Sequence, residues 1–566
     1  MAGFAGRLRD LAHLPREQAL SRLGYGLKRP VFALPFYRYS LPGLTATALA
    51  ATPTDPWPGN AELGAAIVRG EFSFAGPTPT KPEPPWALGG TRPWWLAEPH
   101  GFAWLRDLRA AGGDAARRRA RALVRAWVER HAAWSTPAWD PLATGRRLAH
   151  WLGCYEFFAA SAEIEFRQRL LASIAQQAQH LCRVLPAGLA GAELIAALKG
   201  LIYAGVALPG GEAWRARGLE ILRRELPRQV LSDGGHVERS PSRHLAVLRD
   251  LIDVRAALRR TGAHAHADGV PAALHAAIEA MAPALRMFQH GDGGLALFNG
   301  SVEEEGWQVE LVLQRAGGPR RPLAEATDGG FQRMCAGRTV ALIDAGAAPG
   351  RGLDRRAHAG TLGLEVSVGR ERLIVSCGAR PGDPAWERAQ RATAAHSTLV
   401  VEDTNSSEIL PGGGFGRAAR IVHCRRAEAE GRTWLDLAHD GYARGFGLIH
   451  RRRLYLGADG SDLRGEDRLE PIRAQRRGGA FALRFHLHPT VRASVAQSGD
   501  TVLLRLPKGG GWQLRTTGAQ VALEQSIYLG HPGQIRRSRQ IVLSGAWTAR
   551  GARVKWALRR LEPKRA

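Results

Sequence analysis

Residues 355–378, RRAHAGTLGLEVSVGRERLIVSCG, contain two short runs, LGLEVSVG and ERLIVSCG, rich in β-branched side chains and closed by glycine. Runs of that length and composition read as strands. The same period of two returns before them in RTVALIDAG and after them in HSTLVVED, FALRFHLHP, DTVLLRLP and RQIVLSG. From about residue 325 onward the chain is therefore expected to be sheet, and a large antiparallel sandwich fits it.

Upstream, between about residues 100 and 290, the period changes. ARRRARALVRAWVERHAAW, TGRRLAHWLGCYEFFAA, EFRQRLLASIAQQAQHLCRVL, GAELIAALKGLIYAGVAL and EAWRARGLEILRRELPRQVL each repeat apolar residues at three or four positions. Those are amphipathic helices, and the short Gly/Pro joints between them predict antiparallel hairpins. The first 90 residues hold an amphipathic start and then a Pro-rich stretch, GPTPTKPEPPWALGGTRPWW, that reads as an extended arm. The predicted class is α+β multidomain: an arm over 1–90, a helical domain over 91–320 and a sandwich over 321–566. No fixed-period repeat marks a solenoid.

Hydrophobic residues make up 45% and charged residues 23% of 566 residues, the balance of a globular chain with room for a sizeable core. Lys and Arg number 78 against 52 Asp and Glu, a net charge of +26 spread along the sequence. A polyanionic partner is the physical reading, and an Arg-rich composition of GC-rich coding origin is the bland one. No helix-turn-helix, zinc-finger, RRM or KH signature stands out, so no nucleic-acid partner is expected. The five cysteines are widely spaced with no C-x-x-C pair, which predicts no disulfide framework. The N-terminus has no apolar h-region and no run of about 18 apolar residues occurs, so neither export nor a membrane span is expected, and a cytoplasmic location follows.

Several segments in order, among them PHGFAWLRDL, AWDPLATGRRLAHW, LSDGGHVERSPSRH, RRAHAGTLGLEVSVG, TAAHSTLVVEDTNSSE and HDGYARGFGLIHRRRLYLG, make the chain resemble the heparinase II/III family from about residue 70 to the end. The resemblance implies an incomplete (α/α) toroid followed by an antiparallel β-sandwich. It also implies a carbon–oxygen lyase that cleaves uronic-acid-containing polysaccharides by β-elimination, with the periplasm or cell envelope as the alternative location. Such chemistry needs the uronate carboxylate neutralised, a base for the carbon-5 proton and an acid for the leaving oxygen. Family lyases supply an Asn, a Tyr and a His. Here the S-P-x-Y-H run reads SPSRH, with Arg243 in place of the Tyr, and the helix before LIYAG offers Glu193 and Lys199 but no Asn or His. The family's G-H-x-H-x-D run reads Arg356-Ala357-His358-Ala359-Gly360.

The family's structural zinc, carried over, would fall on His358, Ser376 and His396, and serine cannot replace the carboxylate. Neighbouring strand residues face opposite sides, which sets Cys377 away from that position. No cofactor is required on this reading; a divalent metal, zinc or calcium, on His358 and His396 is the one candidate.

The proton-transfer candidates are His358, His244, His236 and Glu238, with Arg243 as a bidentate fork for a substrate carboxylate. Each also has a structural reading: Ser240 capping a helix that begins near Pro241, His236 and His396 packing locally, Arg243 on solvated surface. Trp95, Trp104 and Trp139, with Trp94 and Trp134 nearby, could stack on sugar rings or simply fill the core, and Arg239 and Arg356 could bind substrate. The run Arg451-Arg452-Arg453 reads as a solvated strand end or a sheet edge. Two functions follow. One is a lyase with a rearranged site acting on an acidic polysaccharide. The other is a non-catalytic acidic-glycan-binding or envelope-assembly protein that kept the fold.

Overall fold

The computed structural model describes residues 11–41, 48–72, 85–87, 98–260, 271–318, 321–380, 383–473, 478–508 and 510–561. Two compact units divide the chain: Met1–Gln229 with Ala246–Ile278, and Val230–Leu245 with Glu279–Ala566.

The first unit is helical. Its elements are α1 (Arg16–Phe32), α2 (Ala61–Val68), α3 (Leu105–Ala111), α4 (Gly113–Arg130), α5 (Pro141–Gly153), α6 (Tyr155–Phe158), α7 (Ile164–Val184), α8 (Gly191–Ala207) and α9 (Glu212–Gln229), and most of α10 (Pro241–Arg259) belongs with them. The helical runs named from sequence fall on α4 to α9. Helix α8 is buried along nearly its whole length and lies backbone to backbone on α5. A Cβ on Gly200 would sit 2.0 Å from the carbonyl oxygen of Gly145, so both positions require glycine. Lys199 of α8 is buried but not alone, with ion pairs to Asp250 (3.0 Å) and Asp253 (2.5 Å) of α10. Trp57 donates its indole N–H to Asp253 at 2.9 Å and completes the carboxylate's shell. Arg147 is fully buried and has no carboxylate partner among the described residues. It donates to Gln177 (2.7 Å) and to the carbonyl oxygens of His100 and Ala138, and it stacks 3.8 Å over the Trp127 ring.

The second unit carries α11 (Ala272–Met287) in large part, α12 (Gly306–Ala316), the short helices α13 (Pro384–Arg391) and α14 (Ala443–Phe446), and seventeen strands. These are β1 (Glu325–Ala326), β2 (Phe331–Ala336), β3 (Thr339–Asp344), β4 (Leu364–Val368), β5 (Glu371–Val375), β6 (Leu399–Val401), β7 (Ile421–Ala429), β8 (Arg432–His439) and β9 (Leu448–Leu456). They continue with β10 (Asp462–Pro471), β11 (Gly479–Leu487), β12 (Arg492–Val495), β13 (Thr501–Arg505), β14 (Gly511–Thr517), β15 (Gln520–Tyr528), β16 (Arg536–Trp547) and β17 (Ala552–Arg560).

Nine strands form one sheet in the order β1-β2-β3-β4-β5-β11-β16-β15, with β6 also paired to β11, and eight form the other in the order β12-β13-β14-β17-β10-β9-β8-β7. All the named pairings are antiparallel. One continuous core joins the two inner faces, with Ile343, Leu364, Val366 and Phe485 from the first sheet against Leu435, Leu454, Trp512 and Trp556 from the second. This is the helical region followed by a sandwich that the sequence predicts.

The arginine run is a correction. Strand β9 is interior to its sheet, between β10 and β8, so Arg451-Arg452-Arg453 is neither an edge nor a strand end. Strand alternation turns Arg451 and Arg453 outward and drives Arg452 into the sandwich, where it is 0% exposed. There it donates to Asp467 (2.7 Å) and to the carbonyl oxygens of Leu362 (2.6 Å) and Ser397 (3.0 Å). Asp467 also holds His450 and Trp556, and its carboxyl is pushed below the usual range by the Arg452 charge and the His450 hydrogen bond. Among the described residues no helix is long and apolar enough to cross a membrane, and all five cysteines are unpaired thiols.

Candidate functional site

Two Asp-Gly-Gly turns in the second unit have the same construction. In the first, Asp233 accepts from the amide of Gly235 (2.8 Å) while the Leu231 amide bonds the Gly235 carbonyl (2.8 Å). In the second, Asp292 accepts from the Gly294 amide (2.9 Å) and the His290 amide bonds the Gly294 carbonyl (2.9 Å). Gly234 and Gly293 have φ of 80° and 88°, a left-handed conformation that a side chain would strain. Asp233 binds the amides of Asp328 and Gly329 as well, so the first turn is anchored to the residues that lead into β2.

That anchoring places the candidate loop in the interior. His236 is 2% exposed and His244 1%. The space beside them, bounded by Arg239, Phe288 and Phe331, holds about 10 Å³, the size of a single water at most. His244 donates Nε2–H to the Met281 carbonyl oxygen (2.9 Å) and lies edge-on to Phe288. Burial pushes both imidazoles down to about 3. Glu238 and Arg243 face one another at 3.9 Å, half within the surface. Arg239 is buried: its guanidinium bonds the carbonyl oxygens of Gly329 (2.7 Å) and Gly330 (3.1 Å), pairs with Asp344 and lies 4.6 Å over the Phe331 ring. Ser240 meets Ser301 at 3.0 Å at the start of α10.

His358 and His396, the positions onto which the resemblance carries the family's zinc ligands, lie side by side. Nδ1 of His358 lies 3.1 Å from Nε2 of His396, and Nδ1 of His396 lies 3.2 Å from the Ser376 hydroxyl. Asn299 holds the backbone at His358, accepting from the His358 amide (3.0 Å) and donating to the Arg239 carbonyl (2.9 Å). Sequence reading passed over Asn299. Its signal was the Asn-Gly dipeptide, since Asn299 has φ of 48° and Gly300 follows. A Cβ at Gly360 would lie 2.8 Å from the His396 ring, so a family-type Asp at that position cannot coexist with this ring placement. Burial pushes His396 down to about 4 and His358 well below its ordinary value.

The donor set does not suit the implied metal. Zinc at a structural site takes four N, S or O ligands, and here two imidazoles face each other with a serine behind one of them. Among the described residues no cluster of three or more His, Cys, Asp or Glu is placed to hold an ion. Cys377 points elsewhere, toward His486 (3.5 Å) and Ser526. Calcium, which wants six to eight oxygens, fits no better.

The aromatic candidates sit in the first unit. Trp104 and Trp139 are 5% and 2% exposed and give their indole N–H to the carbonyl oxygens of Pro99 (3.2 Å) and His131 (3.0 Å). Trp95 lies outside the described residues. Arg356 is exposed.

The fold is of the α+β class, a helical unit followed by a unit with a two-sheet antiparallel sandwich. The chain belongs to the heparinase II/III-like family: the Heparinase II/III N-terminus description matches residues 94–315 and the Heparinase II/III-like, C-terminal description residues 318–557. It is 35% identical over 480 residues to FtsZ-localized protein C of Caulobacter vibrioides (strain NA1000 / CB15N), covering 82% of this chain and 81% of that one. It is 33% identical to the heparin-sulfate lyase of Bacteroides stercoris over 116 residues, 20% of this chain and 17% of the lyase. The crystal structure of heparinase III shares the fold, with a TM-score of 0.71, 16% identity and coverage of 95% of this chain and 90% of that one.

Proposed function

We propose that this protein is an acidic-glycan-binding member of the family that works at the cell envelope and does not cleave its ligand. The observation that carries the reading is the burial of His236, His244, His358 and His396. Each is hydrogen-bonded and closed to solvent, and burial disfavours its charged form, whereas a general base must reach the proton it removes. Arg243 where lyases have a Tyr, and Gly360 where they have an Asp, point the same way.

The comparisons fit it too. The relative named for FtsZ matches over 81% of its own length, the Bacteroides stercoris lyase over 17%. An envelope role also accounts for α1 and the residues after it. Leu20, Leu27, Phe36 and Tyr39 are 69%, 79%, 63% and 75% exposed beside Arg16, Lys28 and Arg29, the surface of a helix that lies on an anionic bilayer.

The test is ultraviolet absorbance of the unsaturated uronide, run beside binding measurements on heparan sulfate, alginate, hyaluronan and polygalacturonate, with and without zinc or calcium. A flat trace with salt-sensitive binding is expected. A rise that disappears in His358→Ala would restore the lyase, and a protein that binds none of the four polymers would sink both readings.

A further inference from the structure

The eight-stranded sheet has a second face, turned away from the sandwich core, whose side chains exceed what solvation requires. Alternation along β8, β9, β10, β17 and β14 brings Arg453, Arg464, Arg468, Arg515, Arg553 and Lys555 to one groove of about 830 Å³, whose acidic lining is Asp436 and Glu466. Register places Arg468 directly opposite Arg451 on one side and Arg553 on the other. Like charges so placed oppose pairing, so the fold alone gives no reason for them.

Most of the nearby carboxylates are shared between two cations: Asp462 pairs with both Arg464 (2.5 Å) and Arg559 (3.3 Å), while Asp500 pairs with Arg515 alone (3.1 Å). Asp436 is held by Arg451 at 2.6 Å and Arg453 at 3.1 Å, and Glu466 by Arg468 and Arg553, each at 2.5 Å. Lys555 has no ion-pair partner among the described residues. Positive charge therefore remains along the groove. At its β8 side Trp434, 37% exposed, leans on Tyr455 with ring centroids 5.4 Å apart, and the Arg464 guanidinium lies 5.5 Å over the Tyr455 ring.

We infer that this outward face binds an acidic polysaccharide laid across the strands. The C–H face of a sugar ring stacks on Trp434 and Tyr455, and ring carboxylates or sulfates enter the guanidinium forks, which take planar anions bidentately. From β7 to β14 the groove crosses six strands, about 24 Å at ordinary strand spacing, room for a short extended oligosaccharide. A bilayer fits poorly, since Trp434 is the single large apolar side chain exposed in the lining. The class of ligand rests on the glycan-binding reading above; the location does not.

The experiment is calorimetric titration of the full chain with a size-defined heparin oligosaccharide and an alginate oligosaccharide, with neutral dextran beside them. Arg464→Gln/Lys555→Gln and, separately, Trp434→Ala are each expected to weaken binding about tenfold or more. Arg118→Gln/Arg130→Gln, which removes the same charge from α4, is expected to bind as the unsubstituted protein does. Unchanged affinity in both face variants overturns the groove and leaves the glycan-binding function standing. Failure of the unsubstituted protein to bind either oligosaccharide overturns the function with it. Tighter binding of single-stranded DNA or of phosphatidylglycerol vesicles, lost in the same variants, overturns the class of ligand.

Discussion

The two sheets of the sandwich solve opposite problems. In the nine-stranded sheet, β3, β4 and β6 are buried at every position, because one face packs on the sandwich core and the other carries the turns and loops of residues 288–301. In the eight-stranded sheet, β9 alternates buried and accessible residues along its length, because its outer face meets water. The first sheet must satisfy polar groups inside. Glu365 does so by accepting from the amides of Leu297 and Ser376, both at 3.1 Å, and from His290. The second can place charge outside without that constraint, and its arginines are available to a ligand. A polar residue on the doubly buried strands of the first sheet is therefore structural, whereas one on the outer face of the second is open to a ligand.

Acid should act most strongly, on imidazoles sealed in both sheets, His439 and His450 in the second among them. His396 and His486 of the nine-stranded side are held to about 4 and about 3 by burial, against about 6.5 in an unfolded chain. Below pH about 6.5 the unfolded chain takes up protons that the folded chain refuses, so stability is full above that pH and lost as pH falls toward the folded values. Each such imidazole contributes about 1.4 kcal/mol per pH unit over that window. Thermal melts should show a midpoint level above pH 7 that falls steeply between pH 6 and 4.5. A midpoint level down to pH 5 would mean these rings are not closed off.

Arg452→Ala comes next. It leaves Asp467 buried beside His450 without its cation and should cost about 3–5 kcal/mol in urea unfolding. A loss under 1 kcal/mol would mean that water replaces the guanidinium and that the interior of the sandwich is less dry than its packing indicates.

Gly360→Ala probes the nine-stranded side at the His358–His396 pair. Its Cβ would press on the His396 ring, and a loss of about 1–3 kcal/mol is expected. No loss would show that the ring can move aside, which would reopen the position to a carboxylate and a metal.

Arg453→Gln, on the outer face of the eight-stranded sheet, should change stability by under about 0.5 kcal/mol. A larger loss would make that face structural and erase the contrast between the sheets.

The same contrast explains what could be read in advance. LGLEVSVG, ERLIVSCG and HSTLVVED are legible as strands because β4, β5 and β6 are buried on both faces, and FALRFHLHP because β11 alternates buried and accessible residues. HRRRLYLG is harder, since three arginines mask its alternation, and its middle arginine was expected in water. The helices α4 to α9 were legible from their apolar stripes. At the site, the family resemblance grouped His358, Ser376 and His396 but could not say that Asn299 would hold the His358 backbone or that Gly360 would leave room for the His396 ring.

The sequence by itself determined the order of helical and sheet regions, the family and the missing lyase side chains, because hydrophobic period and residue identity are local properties of the chain. Only the tertiary structure decided that His236 and His244 are sealed, that Arg452 points in while Arg451 and Arg453 point out, and that cations from β9, β10, β14 and β17 share one groove. Burial and convergence depend on which distant segments pack over a residue, and that information lies in no stretch of sequence taken alone.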